Sequence, residues 1–90
     1  MDATIGDLGL NEVRKFLDAY DSNADYLELS PEHAAEMRSD IVTVTAQVES
    51  PKPKVGVIRE SLLSIQRILE GAGGGIAGTY LLEALKHINF

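Results

Sequence analysis

Cysteine is absent from this 90-residue chain, and the residue patterns of common catalytic sites are missing with it. Without cysteine there is no disulfide framework, no thiolate nucleophile and no thiolate metal site, which fits a cytoplasmic location. His33 and His87 belong to no metal-ligand spacing such as H-E-x-x-H. Ser61 and Ser64 have no histidine or acid at a spacing that suggests a triad. We therefore expect a protein that is not an enzyme and binds no cofactor or metal.

Basic residues are also scarce, with 8 lysines and arginines against 14 acids and a net charge of −6. A nucleic-acid surface needs clustered lysine and arginine, often interleaved with aromatic residues, and the chain has no such cluster. The charge is unevenly spread, because the segment up to Glu49 holds eleven acids and three bases while the rest holds three acids and five bases. The acidic early helices either recruit the more basic later part or simply present solvated faces.

Long apolar runs are missing as well. The longest nearly uncharged stretch, Gly71 to Leu82, has twelve residues and is rich in glycine, whereas a bilayer span needs about 20 apolar residues. The segment from Met1 to Leu10 contains two acids and no basic residue, unlike a signal peptide. We expect a soluble single domain over residues 1–90, either complete or as the C-terminal module of a larger protein.

Helix start and stop signals divide the chain into segments. In "LSPEH", Ser30 is placed to cap a helix, Pro31 suits the first helical position and Glu32 complements the helix dipole. In "ESPKPK", Pro51 and Pro53 cannot continue the same helix, yet either one fits the first turn of the next. These signals predict two long helices joined by a short link.

Apolar residues recur at steps of three and four in four stretches, as in amphipathic helices. The predicted fold is all-α, a small bundle of three to four helices at about 9–20, 31–49, 54–72 and 75–88. The second and third helices are expected to form a central antiparallel hairpin. The stripe of the third helix consists of Val55, Ile58, Leu62, Ile65, Leu69, Ala72 and Ile76.

The glycine-rich stretch "GAGGGIAG" at residues 71–78 lies where the apolar stripe changes phase. Because several glycines weaken a helix interior, we predict a break or kink near Gly73. We also expect the apolar stripe to stay in register through Ile76 and to change face only after it. Gly73, Gly75 and Gly78 match G-x-G-x-x-G, but no strand precedes them and no acid follows at the required distance. A close approach of another backbone, inside the bundle or between subunits, is the favoured interpretation, and a simple flexible hinge is the alternative.

The segment between the first two helices resembles a calcium-binding loop at four positions. Asp21, Asn23, Asp25 and Glu32 occupy positions 1, 3, 5 and 12 of an EF-hand loop. Position 6, which needs glycine for a sharp turn, holds Tyr26. We therefore expect these residues to serve as turn and capping groups.

The run from Leu29 to Leu85 combines an acidic helix, the link "SPKP", the long helix "IRESLLSIQRILEG", small residues and an apolar finish. This pattern resembles the small C-terminal helical module of uncharacterised bacterial multidomain proteins, some of them associated with phage defence or abortive infection. The resemblance covers Leu8 to Ile88. It implies a module that binds a partner or self-assembles while another domain carries the activity, and it assigns no catalytic residue.

These patterns favour a non-enzymatic interaction module for homo-oligomerisation or partner docking. Apolar residues such as Leu63, Ile68, Leu81, Leu82 and Ile88 exceed what three short helices cover, and exposed apolar patches mark interfaces. The predicted interface consists of Ile58, Leu62, Ile65, Leu69, Gly71, Gly75, Gly78, Leu81 and Leu85. The alternative is a membrane-interface or toxin-like protein acting through its glycine-rich apolar C-terminal segment, which lacks the basic face that such helices usually carry.

Overall fold

The computed structural model describes residues 9–90, and α-helices make up most of that range. The helices are α1 (Leu10–Asn23), α2 (Pro31–Val48), α3 (Val55–Ala72) and α4 (Gly75–Leu85), and a 3-10 turn (Ala24–Tyr26) follows α1. No strand occurs in this range, in which the only β-type pairing is one bridge between Glu28 and Gly74. The predicted all-α bundle is confirmed, although α1 runs three residues further than expected and α4 ends three residues earlier.

The start of α2 follows the predicted signals. The Ser30 hydroxyl oxygen accepts a hydrogen bond from the His33 backbone N–H at 3.2 Å, and Pro31 is the first helical residue. Such a cap satisfies one of the four N–H groups that a helix start leaves without a partner. The same hydroxyl lies 3.0 Å from His33 Nδ1, so this histidine belongs to the cap.

The link between α2 and α3 is closed by side chains. The backbone N–H of Lys54 donates to Gln47 Oε1 at 2.8 Å, and that of Lys52 donates to Ser50 Oγ at 3.1 Å. Neither proline enters the first turn of α3, which begins at Val55. These two hydrogen bonds stabilise the link, in which the chain reverses its direction.

α2 and α3 pack against each other more extensively than any other pair of described elements. At the link, Gln47 meets Lys54, and near mid-helix Ser64 Oγ donates to Asp40 Oδ2 at 2.5 Å. The sequence separation of the contacting residues thus increases with distance from the link, as antiparallel helices require. The predicted central hairpin is confirmed.

Apolar side chains from all four helices meet in one core within residues 9–90. Full burial of a Val, Leu, Ile, Phe or Met side chain stabilises the fold by about 1.5–3 kcal/mol. The predicted stripes supply most of the core, which consists of Val13, Phe16, Met37, Ile41, Val44, Val48, Ile58, Leu62, Ile65, Ile68, Leu69, Leu81, Leu85 and Ile88.

The chain breaks between α3 and α4 at the glycines. Gly73, Gly74 and Gly75 have φ angles of 85°, 81° and 73°, a region that favours glycine because it has no Cβ. The predicted break near Gly73 is confirmed. The expectation that the α3 stripe stays in register through Ile76 is wrong, because the chain changes direction before Ile76, whose side chain is 89% exposed.

The break is held by two close backbone contacts. The Glu28 N–H donates to the Gly74 carbonyl at 3.1 Å, which ties the segment before α2 to the start of α4. A Cβ on Gly78 would overlap the carbonyl oxygen of Gly73, so the two backbones can approach this closely only with glycine at 78. The close approach expected from the glycine spacing occurs within the chain.

Gly78→Ala should destabilise the protein because the new methyl group meets backbone that cannot rotate away. We expect a loss of about 1–3 kcal/mol in the free energy of unfolding, measured by urea titration with circular dichroism. The matched control is Gly71→Ala, where a Cβ meets open space, and it should leave stability unchanged or raise it by up to about 1 kcal/mol. Equal stability of the two variants would contradict this account of the break.

Candidate interaction surface

The apolar part of the predicted interface lies inside the chain's own core. Its six apolar members are each at most 3% exposed, and they are Ile58, Leu62, Ile65, Leu69, Leu81 and Leu85. Ile68 and Ile88, which were expected on the surface, are also buried. The expectation assumed that only three short helices cover these apolar side chains. Within residues 9–90, four helices and the C-terminal turn cover them.

The three glycines of the predicted interface have different surroundings. Gly71 is exposed at the end of α3, with open space where a Cβ would be. Gly75 lies beside the Glu28 carboxylate, and Gly78 lies against Gly73. Because the break separates Gly71 from Gly75, the two do not form the small-residue face that a continuous helix would give.

The two ligand-binding patterns considered from the sequence do not form their sites. The G-x-G-x-x-G glycines follow a helix, and the Glu28 carboxylate already lies at the N-terminal end of α4, where it interacts favourably with the helix dipole and opposes a phosphate. Asp21 and Asn23 belong to the last turn of α1, where Asn23 Nδ2 donates to the Ala19 carbonyl at 2.8 Å. Residues 9–90 hold no group of three metal-ligating side chains.

Three large side chains instead form an exposed surface that the sequence stripes do not reveal. Tyr26, Ile76 and Tyr80 are 71%, 89% and 56% exposed. Together with Asn23, Glu28 and Ala77 they line a shallow concavity between the 3-10 turn and α4. We call Tyr26, Ile76 and Tyr80 the aromatic patch.

The glycine break explains why α4 contributes to the patch. Ala77, Leu81 and Leu85 are buried, so the residues one position earlier, Ile76 and Tyr80, lie one helical turn apart on an outward face. The apolar spacing of the sequence assigns Ile76 to the stripe of α3, so this spacing does not reveal the outward face of α4.

Tyr26 reaches the same surface from the other side, at the end of the 3-10 turn. The Leu27 N–H donates to the Ala24 carbonyl at 3.3 Å, and the bridge from Glu28 to Gly74 follows directly. One backbone hydrogen bond, from Glu28 to Gly74, thus joins the two sides of the concavity and holds Tyr26 opposite α4.

The lining of the patch carries a single negative charge. It contains one carboxylate, that of Glu28, and no lysine or arginine. Lys86, the first base after Tyr80 in the chain, donates a hydrogen bond to Glu83 at 2.8 Å. This hydrogen bond, together with the attraction of the charges, lowers the pKa of Glu83 and raises the pKa of Lys86. Lys86 therefore already has a carboxylate partner.

Comparison with known proteins found no matching family model, no similar curated protein and no similar solved structure. No helix among residues 9–90 combines the length and the apolar character needed to cross a bilayer.

Variants at Leu62 and Leu63 test whether the apolar face of α3 is part of this chain's core or is a subunit interface. Leu62 is fully buried and Leu63 is 37% exposed, so Leu62→Ala should lower the free energy of unfolding by about 2–5 kcal/mol, and Leu63→Ala by less than about 1 kcal/mol. Urea unfolding at two protein concentrations tests this. If Leu62 were buried by a second subunit, the unfolding midpoint of the unmodified chain would rise with protein concentration.

Proposed function

We propose that this chain is a non-enzymatic helical interaction module that docks a protein partner on the aromatic patch. The observation that carries the proposal is the adjacent exposure of Tyr26, Ile76 and Tyr80. Contiguous exposed apolar surface of this kind often marks interaction sites, and tyrosine is enriched among the residues that dominate binding energy. The hydrogen bond that joins the two sides of the concavity favours a surface that exists before the partner arrives.

The size of the patch favours docking of a short segment. The two tyrosines expose roughly 300 Å² between them, and Ile76 adds a further aliphatic surface. A stable interface between two folded proteins buries about 800 Å² on each partner. A peptide-sized partner element therefore matches the patch better than a second folded domain does.

Homo-oligomerisation through the patch has less support. In a two-fold symmetric dimer the same surface meets itself, so the Glu28 side chains of the two copies would approach each other. Like charges across a contact oppose association. We therefore favour docking of a different protein, and we keep self-association as an outcome that the experiment detects.

A membrane-interface role is opposed by the same charge. Interfacial helices carry lysine and arginine toward anionic headgroups, whereas the lining of the patch contains neither. The Glu28 carboxylate would repel an anionic leaflet.

A displayed library of random peptides tests the proposal. The library is selected against the unmodified chain, and each enriched peptide is then titrated against the double variant Tyr26→Ser, Tyr80→Ser. We expect the double variant to weaken binding by at least about 30-fold, since truncating a central tyrosine commonly costs about 2 kcal/mol or more. The matched control is Val42→Ser, which removes a side chain 63% exposed on α2 and should leave binding unchanged.

Circular dichroism must show that the variants remain folded, as expected for exposed positions. Enriched peptides that bind the double variant as tightly as the unmodified chain would overturn the proposal, and so would a selection that yields no binder. Light scattering of the free protein provides the second readout. A dimer that the double variant dissociates would replace docking with self-association.

A further inference from the structure

We infer that the segment docked on the aromatic patch is a cationic amphipathic peptide, with apolar side chains for the patch and lysine or arginine beside them. This inference rests on the proposed function and adds the chemistry of the partner. It is carried by the lining of the patch, which holds the Glu28 carboxylate and two tyrosine rings but no lysine or arginine.

Two exposed carboxylates lie next to Tyr26 in the chain. Asp25 precedes it directly and Glu28 follows two residues later, and Glu28 also lines the concavity. The ion pairs found among residues 9–90 are Lys15 with Glu12 and Lys86 with Glu83, and residues 1–8 contain no lysine or arginine. Glu28 is the carboxylate that a cationic group on the patch would meet, whereas Asp25 lines a neighbouring concavity together with Arg38.

The tyrosine rings favour the same ligand. A lysine or arginine placed over the face of a tyrosine is attracted by the negative charge density of the ring. A cation docked near Tyr26 thus gains attraction from the ring and from the Glu28 carboxylate. An acidic segment meets repulsion from the carboxylate and gains nothing from the ring faces.

Other occupants fit these charges less well. A second copy of the chain has a net charge of −6, and anionic lipid or nucleic acid would meet the same carboxylate. Complementary charges also speed the encounter between partners and make association sensitive to salt. The inference therefore makes a prediction about ionic strength as well as about peptide composition.

The composition of the enriched peptides is the first test. If the library is balanced in charge, the peptides whose binding depends on Tyr26 and Tyr80 should carry a net positive charge. Patch-dependent peptides that are neutral or negative would overturn this inference and leave the proposed function standing. If no peptide depends on the patch, the proposed function fails and this inference fails with it.

A titration of one enriched peptide against charge variants is the second test. Glu28→Gln should weaken binding about two- to fivefold at low salt, as expected for a surface charge pair, and raising the salt to about 300 mM should weaken binding by the unmodified chain. The matched control is Glu60→Gln, which removes the same charge from α3 at a distance of roughly 18 Å along the helix from its end at Ala72. Equal effects of the two variants, or binding that is insensitive to salt, would overturn the inference.

Glu28 also has a second role, in the stability of α4, which the test must separate from binding. The Glu28 carboxylate lies beside Gly75 at the start of α4, so Glu28→Gln changes the stability of that helix end as well as the charge. The melting temperature of Glu28→Gln is therefore measured in parallel to separate binding from stability. Asp25→Asn, which removes the same charge from the neighbouring concavity, should weaken binding less than Glu28→Gln does.

Discussion

The contact between Gly78 and the carbonyl of Gly73 sets the direction of α4, and both the core and the exposed surface depend on that direction. With the chain turned at residues 73–75, Leu81 and Leu85 enter the core. The same turn leaves Ile76 and Tyr80 on the outside. A backbone contact that only glycine allows thus determines which apolar side chains of α4 stabilise the fold and which remain available to a partner.

The helices and the hairpin could be predicted from the sequence because their determinants are local. The Ser30 cap, the prolines of the link and the three-four spacing of apolar residues each act within a few turns of chain. The α2–α3 hairpin follows from two apolar faces separated by a short link. The break near Gly73 was also predictable, since glycine has the lowest helix propensity apart from proline.

The surface could not be predicted in the same way. Apolar periodicity indicates that a face is covered but does not distinguish cover by the same chain from cover by a partner. The residues assigned to an interface, such as Ile58 and Leu62, are covered by the other helices of the bundle. The phase of α4 relative to α3 depends on three backbone positions with positive φ, and Tyr26 joins Tyr80 only through the tertiary fold.

Glu28 connects the fold with the proposed docking surface. Its N–H bonds to Gly74, and its carboxylate lies at the start of α4. A cationic partner that drew this carboxylate away from the helix would remove an interaction with the helix dipole of about 0.3–1 kcal/mol. Truncation of a tyrosine that is a hot spot at the centre of an interface costs about 2 kcal/mol or more. Because the second quantity is larger, the carboxylate can stabilise the free protein and still attract a partner without preventing docking.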